Sequence, residues 1–288
     1  MRLKVIVIKV GDGMGNQLFN YACGYAAARR EHDTLMLDTS DCDNSTLRKF
    51  ELDKFQLKYD GRESFPNHNL WQKVYKKIRR NLKYRVIMER EIYHNKSGRY
   101  TVNDIDPRVY QKKRLRNKYL CGYWQHLAYF EMYLDEITEM MTPAYEQSRE
   151  VTTLIQELKS TPTCALHVRG GDITGPGKNY FKHAIARMEK EKPDLRYVIF
   201  TNDREKAKEA LEKIMGEHAD RMSYVSELGT FSDVDEFFLM AACQNQILSN
   251  STYSTWAAYL NKNPHKTVIM PDDSLSERMR QKNWIVLA

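Results

Sequence analysis

No stretch of this 288-residue chain approaches the ~18 consecutive apolar residues that a bilayer crossing needs, so it reads as a soluble or membrane-peripheral protein. The apolar opening, residues 3–10, is short and broken by Lys4 and Lys9, which excludes a secretory leader and suits a buried first strand. Cysteine is sparse: Cys23, Cys42, Cys121, Cys164 and Cys243 are odd in number and never closely paired. That spacing excludes a zinc cluster and a disulfide framework, and implies reduced thiols in a reducing compartment. A Walker loop, a Gly-x-Ser-x-Gly elbow and the paired carboxylates of a hydrolase are missing too. Neither sign of charge dominates: 45 Lys and Arg against 38 Asp and Glu leave a formal +7. Such an excess suits a nucleotide diphosphate or an anionic surface without requiring either.

What is present alternates strand and helix. Residues 3–10 lead through Gly11-Asp12-Gly13-Met14-Gly15 into a segment with Leu18, Tyr21, Ala22, Tyr25 and Ala26 at helical spacing, and a second short strand covers 34–38. This βαβ opening implies a parallel sheet. Residues 39–68 show weak periodicity and read mostly as loop. From 71 to 91, Trp71, Val74, Tyr75, Ile78, Leu82 and Val86 recur at three- and four-residue steps among Lys73, Lys76, Lys77, Arg79, Arg80, Lys83 and Arg85, a basic amphipathic helix. A strand over 119–124 and helices over 127–141 and 145–159 follow, up to Ser160-Thr161-Pro162, where the proline marks a domain boundary. Beyond it, short apolar strands at 164–168, 197–201, 222–225, 246–248 and 267–270 alternate with helices at 180–191, 205–215, 234–243 and 254–260. Two α/β domains are expected, 1–160 and 161–288, each with a parallel sheet.

In such sheets ligands gather at the carboxyl ends of strands, and polar turns fall there. The first, Gly13-Met14-Gly15-Asn16-Gln17 with Asp12, lets backbone approach a ligand at a helix N-terminus; a plain tight turn with Asn16 and Gln17 as helix caps is the alternative. The second, His167-Val168-Arg169-Gly170-Gly171-Asp172, puts a planar guanidinium where it can grip two phosphate oxygens, with Asp172 to orient it. An Arg–Asp structural ion pair beside a packed histidine reads equally well from these residues alone. Gly175-Pro176-Gly177-Lys178 extends this loop and adds a charge. The third, Asn250-Ser251-Thr252, either caps a helix or binds phosphate at its N-terminus, and Thr201-Asn202-Asp203 follows a neighbouring strand. No Asp-x-Asp pair falls where a nucleotide-sugar transferase would hold a divalent ion, and Asp272-Asp273 is adjacent rather than spaced. A bound diphosphate would therefore be met by arginine and helix dipoles.

Four ordered blocks resemble the bacterial branch of the α-1,2-fucosyltransferase family. Gly13-Met-Gly-Asn-Gln-Leu-Phe-Asn-Tyr-Ala22 resembles its Gly-Leu-Gly-Asn-Gln-Met-Phe-Gln-Tyr-Ala, and Gly122-Tyr-Trp-Gln125 with Tyr129-Phe130 its Gly-Tyr-Phe-Gln and Tyr-Phe. Residues 167–172 resemble His-x-Arg-Arg-Gly-Asp, and Leu239-Met240, Cys243 and Asn250-Ser-Thr-Tyr-Ser-x-Trp256 resemble the family's last block. The resemblance implies a GT-B-like architecture of two facing Rossmann-like domains and an inverting transfer of L-fucose from GDP-β-L-fucose, with no metal or other cofactor. The donor would lie on 161–288 and a glycan acceptor on 1–160. Arg169 takes the phosphate-gripping position, with Asp172 and His167 beside it. Asn250, Ser251 and Thr252 flank the donor, and Asp203 and Glu236 stand where the family has acidic contacts to ribose or guanine. Gly170 departs from the family, which usually has a second arginine there; Lys178 and Arg204 are the cations that could replace it.

Two other readings stay open. One is a transferase of the same shape using another nucleotide sugar. The other is a non-catalytic polyanion or peripheral-membrane binder using helix 71–91 and Lys112-Lys113-Arg114 with Lys118, whose bland version is a solvated Lys/Arg face. Nucleic acid is a poor partner because the aromatics sit on apolar faces rather than between basic residues. The expected location is the cytoplasm, peripheral at the inner face of the membrane, in bacterial polysaccharide synthesis. Nothing in the sequence encodes the acceptor or the oligomeric state.

Overall fold

The structure, a computed structural model, describes residues 4–66, 70–89, 105–111, 117–170 and 176–288. It divides into two compact units, Met1–Ala144 and Tyr145–Ala288. In the first, β1 (Val5–Lys9), α1 (Met14–Glu31) and β2 (Thr34–Asp38) form the βαβ opening, followed by α2 (Ser40–Asp43), β3 (Gly61–Glu63), α3 (Leu70–Lys83), β4 (Tyr84–Met88), β5 (Asn117–Cys121) and α4 (Leu134–Met140). The strands pair in parallel in the order β3-β2-β1-β5-β4. Helix α1 is buried on nearly every face, which its Ala-rich sequence with few charges before Arg29 permits.

The second unit begins with α5 (Arg149–Ser160) and alternates through β6 (Thr163–Val168), α6 (Lys178–Glu191), β7 (Arg196–Thr201), α7 (Arg204–Met215), β8 (Met222–Tyr224) and α8 (Val225–Leu228). Then come α9 (Asp233–Ala242), β9 (Asn245–Ile247), α10 (Thr252–Leu260), β10 (Val268–Pro271), α11 (Ser274–Met279) and β11 (Ile285–Leu287). Its parallel sheet runs β11-β10-β9-β6-β7-β8. Strand β6 is central and buried over its full length, and Leu166 and Val168 join Tyr180, Phe181, Tyr197, Ile199, Ile247 and Ile269 in one core.

Several expectations from sequence are corrected. The division between units falls one helix before Pro162, because α5 packs on α9 and belongs to the second unit. The 71–91 helix ends at Lys83; Tyr84–Met88 is a strand in register with β5, with Ile87 fully buried. Val86 lies four residues after Leu82, so the helical period ran on into the strand. Two short 3₁₀ turns precede α4 where one long helix was expected, and the 39–68 loop holds α2 and β3. Of the basic cluster, Lys112, Lys113 and Arg114 lie outside the described residues. Lys118 is buried, paired with Glu31 and the Val109 carbonyl, and so is spent inside the fold.

The orientation of α3 meets the bland expectation of a solvated Lys/Arg face only in part, since Lys73 and Lys77 are exposed while other basic residues contact the first unit's own side chains. Its basic side turns toward the sheet: Lys76 pairs with Asp38 at 3.0 Å, Arg79 lies 4.7 Å over Phe65, Arg80 5.0 Å over Tyr119 and Lys83 4.9 Å over Tyr84. The attraction is electrostatic, since that end of the sheet offers buried Asp38, half-buried Glu63 and three aromatic faces. Burial works against Asp38 ionising, but Lys76 and hydrogen bonds from Ser40 and Tyr119 outweigh it and hold the carboxyl below its usual range. Replacing Lys76 leaves a fully buried carboxylate without its cation. Lys76→Ala should cost about 3 kcal/mol, read as a lower denaturation midpoint. Because the pKa of Asp38 is depressed by folding, that difference is present above pH 3.8, the ordinary aspartate value, and closes as acid protonates Asp38.

Candidate active site

In the first unit the turn after β1 is built by α1. Asp12 has φ 61°, a left-handed conformation that aspartate tolerates better than most residues, and the chain reverses there. Gln17, fully buried, donates to the Asp12 carbonyl at 2.8 Å and the Lys49 carbonyl at 2.7 Å, and accepts from the Glu51 amide at 2.9 Å. All its polar valences go to the fold, so it positions the turn rather than meeting a ligand. Asn20 accepts from the Gly11 amide and donates to the carbonyls of Gly122 and Tyr123, while Asn16 accepts from Gln125 at 2.8 Å. Glu89, which sequence reasoning passed over, accepts from the amides of Tyr123 and Trp124 and fixes the Gly122-Tyr-Trp-Gln125 turn. Two of the four family-like blocks are thus one hydrogen-bonded edge. Gly13 and Gly15 stand at the start of α1, where Gly13 caps without a side chain and Arg48 approaches: its Nη1 would lie 3.8 Å from a Cβ at 13. Arg48 sits in a loop with no pattern that could have flagged it.

In the second unit, register decides which polar turns meet. Parallel β6 pairs with β7 so that Val168 opposes Thr201, and with β9 so that Leu166 opposes Ile247. The turns bearing Arg169, Asn202-Asp203 and Asn250-Ser251-Thr252 therefore leave one edge side by side. Asn202 clasps Gly170 from both sides, accepting from its amide at 2.9 Å and donating to its carbonyl at 3.3 Å. A Cβ at 170 would enter the van der Waals envelope of Asp203 Cβ and lie 3.1 Å from its Cγ. Close loop packing therefore requires glycine where the family usually has arginine.

Half-buried Arg169 stands one residue before that clasp and two after His167. His167 is buried against Tyr253, ring centroids 6.0 Å apart, and its Nδ1 has no hydrogen-bond partner. Burial, with the Arg169 charge adding to it, pushes its pKa down to about 3. A neutral imidazole that reluctant to protonate is a poor general base and no cation; it can only donate or accept a hydrogen bond. Asp172 lies outside the described residues.

The N-terminus of α10 faces this edge. Ser251 is its N-cap residue, and its side chain makes no capping hydrogen bond. Ser251 is buried, and Asn250 and Thr252 are half-buried. The Tyr253 hydroxyl donates to the Asp233 carbonyl at 2.7 Å, tying α9 to the same corner. Glu236 stands on the first turn of α9, and burial, reinforced by Asp233, raises its pKa to about 7. Asp203 is partly consumed as the N-cap of α7, accepting from the Lys206 amide at 3.1 Å. Neither cation expected to replace the missing arginine is drawn to Arg169: Lys178 pairs with Glu209 at 2.9 Å, and Arg204 with Glu227. Asp-x-Asp triplets do occur among the described residues, and Asp233-Val234-Asp235 borders this site. Asp235 is occupied by Tyr145 at 2.7 Å, Gln147 at 3.2 Å and Ser232. Asp273 of the adjacent pair is the N-cap of α11.

Comparison with known proteins agrees with this layout. The sequence model of glycosyl transferase family 11 matches residues 5–288. The O-antigen biosynthesis glycosyltransferase WbnK of Escherichia coli is 27% identical over 315 aligned positions, covering 96% of this chain and 99% of that protein. An α-1,2-colitosyltransferase of Escherichia coli is 24% identical over 269 positions, covering 90% and 88%. Among solved structures, the fucosyltransferase NodZ from Bradyrhizobium superposes with a TM-score of 0.53 at 16% identity, over 90% of this chain and 93% of that one. NodZ α-1,6-fucosyltransferase soaked with GDP-fucose gives a TM-score of 0.50 at 15% identity, with the same coverage. The GT-B-like α/β class with parallel sheets is thereby borne out.

Two variants test this corner. Gly170→Ala should lower stability by about 1–3 kcal/mol through overpacking against Asp203, measurable by chemical denaturation. Glu236 binds a proton more readily folded than unfolded, so its stabilising effect is complete below pH 4.5 and is lost as pH rises through about 7. Glu236→Gln, which mimics the protonated form, should melt higher than wild type at pH 8 and show no such gain at pH 4.5.

Proposed function

Because the chain belongs to glycosyl transferase family 11 and is therefore a glycosyltransferase, we propose that it transfers L-fucose from GDP-β-L-fucose to a sugar hydroxyl of a glycan, with inversion and without a metal. The observation carrying this reading is the corner where Arg169 emerges between a helix N-terminus whose N-cap serine makes no capping bond and a buried, unprotonated His167 with an unpartnered nitrogen. The N-terminus of α10 offers amide hydrogens and a positive dipole end to an anion. Arg169 supplies a full charge and a planar fork suited to two phosphate oxygens. Together they neutralise the diphosphate as it leaves, the electrostatic work that a divalent ion performs in metal-dependent transferases.

Loss of the nucleotide leaves an oxocarbenium-like sugar that the acceptor hydroxyl attacks from the opposite face, which gives inversion, and the hydroxyl proton is released to solvent once the glycosidic bond has formed. So loose a transition state needs little base assistance, and His167, at a pKa near 3, is not the group to give it. Glu236 and Asp203 are assigned to the ribose or guanine, and Asp172 to orienting Arg169. The acceptor is proposed to belong to a bacterial surface polysaccharide, on the strength of the relative named for O-antigen biosynthesis. A second reading, colitose as the transferred sugar, is favoured by the relative named a colitosyltransferase.

Thermal shift with GDP, UDP, dTDP and CMP tests the donor base: GDP should stabilise, and stabilisation by UDP but not GDP overturns the assignment. In transfer assays with GDP-fucose and GDP-colitose, Arg169→Ala should lose on the order of 10²–10³-fold in rate and weaken GDP binding, and EDTA should leave wild type unchanged. Full activity in the arginine variant would refute the mechanism.

A further inference from the structure

Helix α3 carries Leu70, Trp71, Val74, Tyr75, Ile78 and Leu82 at three- and four-residue steps, and all six are exposed, Trp71 to 82% and Leu82 to 79%. No residue of the helix is buried. An apolar stripe on a surface helix ordinarily faces the core, and here it faces away from it. The helix cannot roll to hide it, because Lys76, Arg79, Arg80 and Lys83 fasten the opposite face to Asp38, Phe65, Tyr119 and Tyr84. Lys73 and Lys77 flank the stripe in the open, and residues 70–83 include no acidic side chain.

We propose that α3 is an in-plane anchor that seats the protein on an anionic lipid bilayer, the six apolar side chains entering the headgroup boundary and the flanking lysines meeting lipid phosphates. At ~1.5 Å per residue its 14 residues reach about 21 Å, too short to cross a bilayer. Among the described residues no helix is long and apolar enough to do so. High apolar contrast, a basic polar face and exposed tryptophan are what an interfacial helix requires. A second copy of the chain is disfavoured as the partner: two such stripes would set Lys73 and Lys77 of one copy against those of the other, whereas anionic lipid complements them. The inference is independent of the sugar or nucleotide assigned above.

Trp71 supplies the probe, since Trp124, Trp256 and Trp284 are buried. The full chain should float with vesicles of equimolar phosphatidylcholine and phosphatidylglycerol, far less with phosphatidylcholine alone, and its tryptophan emission should shift to the blue on binding. Trp71→Ser with Ile78→Ser replaces exposed side chains, so the circular dichroism and melting midpoint should hold while vesicle partitioning falls roughly ten-fold or more. Lys73→Glu with Lys77→Glu should remove the preference for phosphatidylglycerol. The proposal is overturned by wild type that fails to float with the anionic vesicles, or by a serine pair that floats as well as wild type. It is equally overturned if light scattering finds a wild-type dimer that the serine pair splits into monomers, for then a second copy covers the stripe.

Discussion

Parallel pairing of β6 with β9 on one side and β7 on the other is the constraint on which the candidate active site depends. Three chain segments far apart in sequence, around residues 169, 202 and 251, converge because their strands start in register and end at one edge. A parallel sheet places all its exits at the same end, so polar residues after each strand face a shared space and helix N-termini point into it. Helix α10 adds a dipole end without a side-chain cap, and β6 adds a guanidinium. Each alone is an ordinary structural feature. Side by side, they bring a guanidinium and a helix N-terminus to one place.

The same packing accounts for what sets this chain apart from its family. Asn202 holds the Gly170 peptide by both its amide and its carbonyl, and Asp203 occupies the volume a side chain at 170 would need. The second arginine is therefore absent for a steric reason, and the loop gains a tighter joint to β7 in exchange. Lys178 and Arg204 do not make up the lost charge, since each is drawn to a glutamate on α7 or α8. Burial beside Arg169 also keeps its neighbour His167 neutral. A protonated imidazole there would be buried beside a guanidinium, which burial and repulsion both oppose.

Much of this was legible in the sequence wherever a residue's job is local. Glycine-rich turns after apolar strands, and the Asn250-Ser251-Thr252 start of α10, announce themselves by residue type. Two edge strands did not: β3 and β11 are three residues each and only half-buried, so neither alternation nor an apolar run marks them, although β8, an edge strand of the same length, was legible at 222–225. Strand β4 hid because Val86 extends the helical spacing of α3, and only pairing with β5 separates the two. Gln17 looked like a cleft residue because its motif is family-like, yet it is consumed by the 49–51 loop, a long-range contact with no local signature. The raised pKa of Glu236 likewise depends on what packs over α9, which no spacing encodes.

Helix α3 is the sharpest case of information the sequence held without its sign. Spacing alone shows two faces, one apolar and one basic, but not which of them meets the sheet. The sheet decides, because its edge presents a buried carboxylate and aromatic rings where an ordinary core would present aliphatic side chains. A cation on that surface gains a partner, and an apolar side chain would leave Asp38 unneutralised. Once the basic face is committed inward, the apolar face has no protein left to cover it among the described residues, and its exposure follows from the anchoring rather than from loose packing. The charge that ties α3 down is therefore also what directs six apolar side chains outward, so fold stability and surface character are set by the same ion pair.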